Sequence, residues 1–341
     1  MDAVLTCMVD EKIGPGEMNR KLVQTVKDVV GCAGAFAFRS AGIALSYALK
    51  ALNLEAGSAV MLSALADSWQ YDAVEACGYK ALILDVDERS ALIASESVEE
   101  GIRNGGRLLV LSENFGILPE AEELQRILSL GIPVIEDISK SFGSVVRFPP
   151  VDGGEAVCVK AGTLGVFSVL GLEEFDTITG GGGAVLIAPK KRDWAAACAF
   201  VEKGAATDIL PDINSSLAWV QIKEFERNEQ LRKTIFEMYS RALRNGKNTT
   251  FARSAPDEST VWSFPVVLSG SVKDAKQYAN KKGIEIAPAF GQSVVAAHGE
   301  ELADSCVRAK SLHLRSVLFP LYPRLGAEAA EKIAKVLGTL P

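Results

Sequence analysis

The feature that most constrains this chain is an alternation running from about residue 40 to residue 190. Short apolar runs take turns with stretches whose apolar residues recur at helical spacing. The apolar runs are 60–62, 81–84, 108–111 and 133–135, the last ending in Glu136 and Asp137. Each is continuous in its hydrophobicity, as in strands buried on both faces. Between them, 43–52, 72–77, 98–102 and 121–130 read as helices or helix ends. Such alternation predicts an α/β fold with a largely parallel sheet, helices on its faces, and ligand sites at the strands' carboxyl ends.

Two further strands are expected at 165–169 and 184–187, separated by a segment that ends in four glycines. A charge-rich helix over 217–243 then leads to strands at 261–268 and 283–286 and a helix at 327–337. At 341 residues the chain exceeds one ordinary core. The reading is a large three-layer domain over 1–225 and a small α+β domain over 226–341.

Composition serves mainly to exclude. The net charge is −7 and no stretch concentrates Lys and Arg, which argues against nucleic acid or an anionic membrane as partner. No apolar run approaches a membrane span. The first nine residues carry Asp2 and no basic region, so they do not read as a signal peptide, and a cytoplasmic location is expected. The six cysteines form no C-x-x-C pair, and Cys158 and Cys198 read as buried thiols. With only His298 and His313 present, no His-rich metal site is expected.

Three segments invite chemistry. The glycines Gly180, Gly181, Gly182 and Gly183 lack the Lys-Ser/Thr of a phosphate loop and precede a strand, so they read as a tight turn. Asp137 closes a central strand, where a carboxylate can face a cofactor or cap the next helix. Ser40, before Gly42 and Ile43, either caps a helix or opens a phosphate-binding helix start.

The order of these segments resembles the DegT/DnrJ/StrS family of sugar aminotransferases, which have pyridoxal-phosphate (PLP) fold type I. Ser-Ala-Gly-Ile-Ala-Leu at 40–45 stands where the family reads Ser-Gly-Thr-Ala-Ala-Leu. Glu-Asn-Phe-Gly at 113–116 stands for His-Leu-Tyr-Gly, and Glu-Asp-Ile-Ser-Lys-Ser-Phe-Gly at 136–143 for Glu-Asp-Ala-Ala-Gln-Ala-His-Gly. Phe-Ser-Val at 167–169 and Gly-Gly-Ala-Val at 182–185 bracket the family's lysine segment. Asn-Ser-Ser at 214–216 and Leu-Phe-Pro-Leu-Tyr-Pro at 318–323 are also similar.

The resemblance implies roles. Asp137 would pair with the pyridinium nitrogen and keep it protonated. Ser168 and the backbone at Gly42 and Ile43 would hold the phosphate. Asn214 would reach that phosphate from a neighbouring subunit, which implies a homodimer. The ligand class implied is a nucleotide sugar, in polysaccharide biosynthesis.

The departures matter as much. No lysine lies between Lys160 and Lys190. Counted from Phe167, the family's lysine place falls on Glu173; counted back from Ala184, near Phe175. The family's Gln is Lys140, its Thr is Gly42, and its two histidines are Glu113 and Phe142. The expectation is therefore a degenerate or repurposed member, with PLP bound non-covalently or not at all. The alternative is an active PLP aminotransferase on a nucleotide-linked keto sugar with a non-standard base. Lys140 is expected to pair with Glu113; the other options are a solvent-facing side chain or a relocated Schiff-base lysine.

Overall fold

The computed structural model describes residues 2–150, 155–253, 258–298 and 305–341. Helices α1 (Asp2–Val9) and α2 (Glu17–Val30) lead into strand β1 (Gly34–Phe38) and helix α3 (Ala41–Leu52). There follow β2 (Ala59–Ser63), α4 (Trp69–Ala76), β3 (Lys80–Leu84), α5 (Ser95–Arg103), β4 (Gly106–Ser112), α6 (Ala121–Ser129) and β5 (Val134–Asp137). A hairpin of β6 (Val145–Phe148) and β7 (Val157–Lys160) precedes β8 (Phe167–Gly171) and β9 (Ala184–Ala188).

Seven of these strands form one sheet in the order β1-β9-β8-β5-β4-β2-β3. The pairs β2/β3, β2/β4, β4/β5 and β5/β8 are parallel, and only β9 runs against its neighbours. The chain thus has the mixed α/β architecture that the strand–helix alternation predicts. Two apolar clusters cover the two faces. Alternate residues of one strand belong to different clusters: Val134 packs in the first and Ile135 in the second.

Downstream lie α7 (Lys191–Val201), α8 (Asp212–Lys223) and α9 (Phe225–Leu243). The single helix expected over 217–243 is instead two, because Glu224 takes φ −91° and ψ 2° between them. A three-stranded sheet, β10 (Phe264–Val267), β12 (Ser316–Phe319) and β11 (Ala287–Pro288), carries a separate apolar cluster. Residues 283–286 are not a strand; the paired residues of that region are Ala287 and Pro288. Ile235, Tyr239 and Leu243 of α9 join this cluster with the C-terminal helix Ala327–Leu337.

Cys158 corrects its reading as a buried thiol. It lies exposed on the β6–β7 hairpin, whose strands pair with no other strand among the described residues; Cys198 is half-buried, and Cys7 and Cys306 are the buried thiols. Among the described residues, no helix is long and apolar enough to cross a membrane.

Candidate active site

The parallel strands β2, β4 and β5 end on the same side of the sheet, and the polar residues converge there. Asp137 is the last residue of β5 and stands in register with Ser112 of β4. Gln70, from the first turn of α4, donates to the Asp137 Oδ2 at 2.6 Å and to the Ser112 hydroxyl at 3.0 Å. The Ser139 backbone N–H and hydroxyl both donate to Asp137 Oδ1, at 3.1 and 2.5 Å. Burial pushes the Asp137 carboxyl up, while the Ser139 hydroxyl pulls it back and Asp67 adds to the rise.

Lys140 does not pair with Glu113. Its ammonium lies 2.7 Å from Asp67, in the turn between β2 and α4, and 5.7 Å from the Trp262 ring centroid. The reason is geometric: Glu113 is held on another bond, its carboxylate accepting from the Ser141 hydroxyl. Burial opposes the charge on Lys140, yet the Asp67, Asp176 and Asp137 carboxylates together raise its affinity for the proton. The amine is therefore a firmly held cation, and neither solvent-facing nor a ready nucleophile.

The segment 172–183 contributes an acid that the sequence reading passed over. Glu173, Glu174 and Phe175 are exposed, whereas Asp176 is buried. The Asp176 carboxylate accepts from the Glu173 backbone N–H at 2.8 Å. It lies against Gly171, where a Cβ would come within 2.3 Å of its Oδ2 and 2.7 Å of the Ser139 hydroxyl. Burial pushes the Asp176 carboxyl up to about 8, with Lys140 opposing the shift. Glu173 instead turns its carboxylate to the Gly183 N–H at 3.4 Å.

Ser168 lies on the other face of the sheet. It is in register with Glu136, whereas Asp137 is in register with Val169, and side chains alternate along a strand. Its hydroxyl donates to the Gly162 carbonyl at 2.9 Å and to Glu136 at 3.1 Å. Glu136 also accepts from the N–H groups of Gly162, Leu164 and Gly165, each at 2.8 Å. The β8 residue that meets the Asp137 cluster is Gly171, whose N–H donates to the Ser139 hydroxyl.

The remaining candidates make these contacts within the chain. The Ser40 hydroxyl caps α3 by accepting from the Ile43 N–H at 3.2 Å, and Gly42 sits within that first turn. The Asn214 amide on α8 donates to the Gly180 and Gly181 carbonyls, both at 3.0 Å. Gly181, Gly182 and Gly183 have φ between +69° and +114°, which gives the glycine run its role as a turn into β9. No group of three or more His, Cys, Asp and Glu among the described residues has the geometry of a metal site.

Beside Asp176 opens a cleft of about 1090 Å³ between α9, Trp262 and the loop after β12. Arg227, Arg232 and Arg324 line it together with Glu174, Asp176, Glu224 and Glu285; Arg227 pairs with Glu224 and Arg232 with Glu229.

The sequence matches the DegT/DnrJ/EryC1/StrS aminotransferase family over residues 1–338. The chain belongs to that family. The fold is shared with Spr1654 from Streptococcus pneumoniae, described as a sugar aminotransferase, in its PLP form: TM-score 0.86 at 16% identity, covering 99% of this chain and 95% of that one. A DegT DnrJ EryC1 StrS aminotransferase from Brucella abortus superposes with TM-score 0.84 at 17% identity, over 98% of this chain and 93% of that one. A variant of GDP-4-keto-6-deoxymannose-3-dehydratase (ColD) with bound GDP-perosamine gives TM-score 0.82 at 14% identity, over 98% and 96% of the two chains. The fold is therefore that of PLP fold type I enzymes.

Proposed function

We propose that this chain is a repurposed family member that does not transaminate through a lysine-bound cofactor and that binds a nucleotide sugar in the cleft beside Asp176. One observation carries the reading. The side chain that the 172–183 segment turns toward Asp137 and Lys140 is the Asp176 carboxyl, and the segment holds no amine. Because Ser168 faces away, the strand position that meets the site is Gly171, three residues later. Shifting the family's spacing by those three residues moves the lysine place from Glu173 to Asp176.

The residues present do not fit PLP. Asp137 keeps a free acceptor site on Oδ2 beside the bond from Gln70, so the misfit lies with the other residues. Ser168 is committed to Glu136 on the opposite face. Lys140, the nearest amine, is kept protonated by its acidic neighbours.

Binding remains open to the chain because the cleft is separate from that cluster's interior. Arg324, which has no ion pair among the described residues, and the exposed Arg227, which would have to leave Glu224, suit a diphosphate, for which planar guanidinium groups are the preferred partners. The bound GDP-perosamine of the ColD variant supports the ligand class. A homodimer completes the proposal, since the family role of Asn214 is to cross to a second subunit.

The test has three parts on the purified chain. Borohydride reduction with PLP should leave no pyridoxyl-labelled peptide spanning 167–183. Calorimetry with a GDP- or UDP-linked sugar should show binding that Arg227→Glu weakens. Sedimentation at micromolar concentration should show a dimer. A labelled residue in that window, or glutamate-dependent amination of a nucleotide-linked keto sugar, overturns the proposal.

A further inference from the structure

A second cavity lies away from the strand ends, between the later turns of α9 and the strand-like segment around residues 246–253. Its volume is about 770 Å³, within the range of small-molecule sites. Lys233, Arg241, Arg244, Lys247 and Arg253 line it, against one acid, Glu237. In a chain of net charge −7 this concentration of cations is local. Arg241, Arg244 and Lys247 make no ion pair among the described residues.

The second observation is independent of charge. Three polar atoms on lining residues are buried without a hydrogen-bond partner: the Ser240 and Thr250 hydroxyl oxygens and the Arg253 Nε. Buried donors are almost always paired, and leaving one unpaired costs about 1–3 kcal/mol. All three lie beneath the cavity surface, so a ligand reaches them only if the wall shifts. The Arg253 side chain is already half-anchored: its other nitrogens donate to the Thr260 carbonyl at 3.1 Å and the Phe115 carbonyl at 2.5 Å. Its guanidinium also stacks on Phe236, 4.7 Å from the ring centroid. The guanidinium is thus fixed in orientation, with Nε left unpaired beneath the cavity surface. Phe236, Leu243 and Val261 supply an apolar wall for the body of the ligand.

We propose that this cavity binds a phosphate-bearing organic anion of nucleotide size, at a site separate from the cleft beside Asp176. The phosphate meets the exposed cations Arg241, Arg244 and Lys247. The flat part of the molecule packs on the apolar wall. Arg253 also ties the cavity wall to the Phe115 carbonyl, in the loop after β4.

The experiment is calorimetric titration of the full chain with UDP, GDP, ATP and inorganic pyrophosphate. Three proteins are compared: wild type, Arg241→Glu/Lys247→Glu, and the cleft variant Arg227→Glu/Arg324→Glu. All four altered positions carry side chains whose charge reaches solvent, and circular dichroism verifies that each variant folds. The expected result is binding of at least one nucleotide that survives in the cleft variant. In Arg241→Glu/Lys247→Glu the same binding weakens by roughly tenfold or more. Pyrophosphate alone binding as tightly as the nucleotides reduces the site to a plain phosphate site and overturns the organic-anion class. Binding indifferent to Arg241→Glu/Lys247→Glu, or no binding by any probe at millimolar concentration, overturns the site itself. Loss of all binding in the cleft variant alone also overturns it, while leaving the nucleotide-sugar reading of the cleft intact.

Discussion

The Lys140 ammonium lies 2.7 Å from the Asp67 carboxylate, joining the loop after β5 to the loop after β2 across the strand ends. Two more carboxyl groups, Asp137 and Asp176, act on the same cation. One fixed positive charge among three acids makes the centre of the site a self-satisfied polar cluster. An ion pair in such a half-buried place contributes only when its geometry is close, and removing one partner leaves the other uncompensated.

Lys140→Met should therefore destabilise the chain by about 2 kcal/mol, below the range for a fully buried pair. Asp67→Leu alone should cost about as much. The double variant should cost clearly less than the two single losses added, because neither charge is then left alone. Urea unfolding midpoints measure all three. Strict additivity would show that the pair contributes nothing to the fold.

Asp176 gives a pH-dependent test. Its folded-state value is raised from 3.8 to about 8, so the folded chain holds this proton more tightly than the unfolded chain. The stability it contributes is complete below 3.8 and is lost progressively as pH rises to about 8. Asp176→Asn should remove that loss. Relative to wild type, the variant should gain stability steadily across this window and no further above it. Thermal melts at several pH values would detect the change, and parallel curves for the two proteins would mean that Asp176 is not held protonated.

The large sheet was legible because its central strands are buried on both faces and read as unbroken apolar runs, as at 60–62 and 108–111. That same property hid the orientation of Ser168. A strand with two buried faces has no polar alternation, so nothing in the residues around Ser168 says which face it takes. Asp137 could be placed because it closes a strand, where position alone fixes the neighbourhood. Asp67 and Asp176 could not, since both lie in connecting segments where an acid ordinarily meets water. The break at Glu224 carried no Gly or Pro to announce it, and the charged pattern continues across it. The apolar look of Cys158 misled because a lone hairpin leaves even its hydrophobic residues, such as Val157, exposed.

Asp176→Lys probes the proposed history of the site. The buried position already faces Asp137, and the substituted amine would meet two carboxyl neighbours, Asp137 and Asp67, the second already paired with Lys140. Combined with Asp67→Ala and Lys140→Gln, which clear the competing pair, the variant should acquire a visible absorbance band with added PLP. Borohydride should fix that band to residue 176. The wild-type chain under the same conditions should show neither. A wild-type protein that is coloured and labelled at Lys140 would instead identify a relocated lysine.

Behind the cluster, Glu113 and Glu136 form a second acid pair, and the hydrogen bonds decide which of them carries a proton. Glu136 accepts from three backbone N–H groups and the Ser168 hydroxyl, which favour its charged form against the burial that raises it. Glu113 has only the Ser141 hydroxyl, and its Oε1 is buried without another partner. Burial, and then the charge on Glu136, push the Glu113 carboxyl well above the usual range. The proton accordingly sits on Glu113, and its folded-state value is raised. Its stabilising contribution is present below 4.5 and is lost as pH rises through the folded value. Glu113→Gln, which keeps the shape and cannot ionise, should leave stability unchanged in acid and raise it in alkaline solution. Glu136→Gln should destabilise by about 2–3 kcal/mol at every pH, because an amide nitrogen would face backbone donors. Infrared spectra provide the direct measurement: a protonated carboxylic acid band that persists at neutral pH in the wild type should vanish in Glu113→Gln. Persistence of that band in Glu113→Gln together with its loss in Glu136→Gln would place the proton on Glu136.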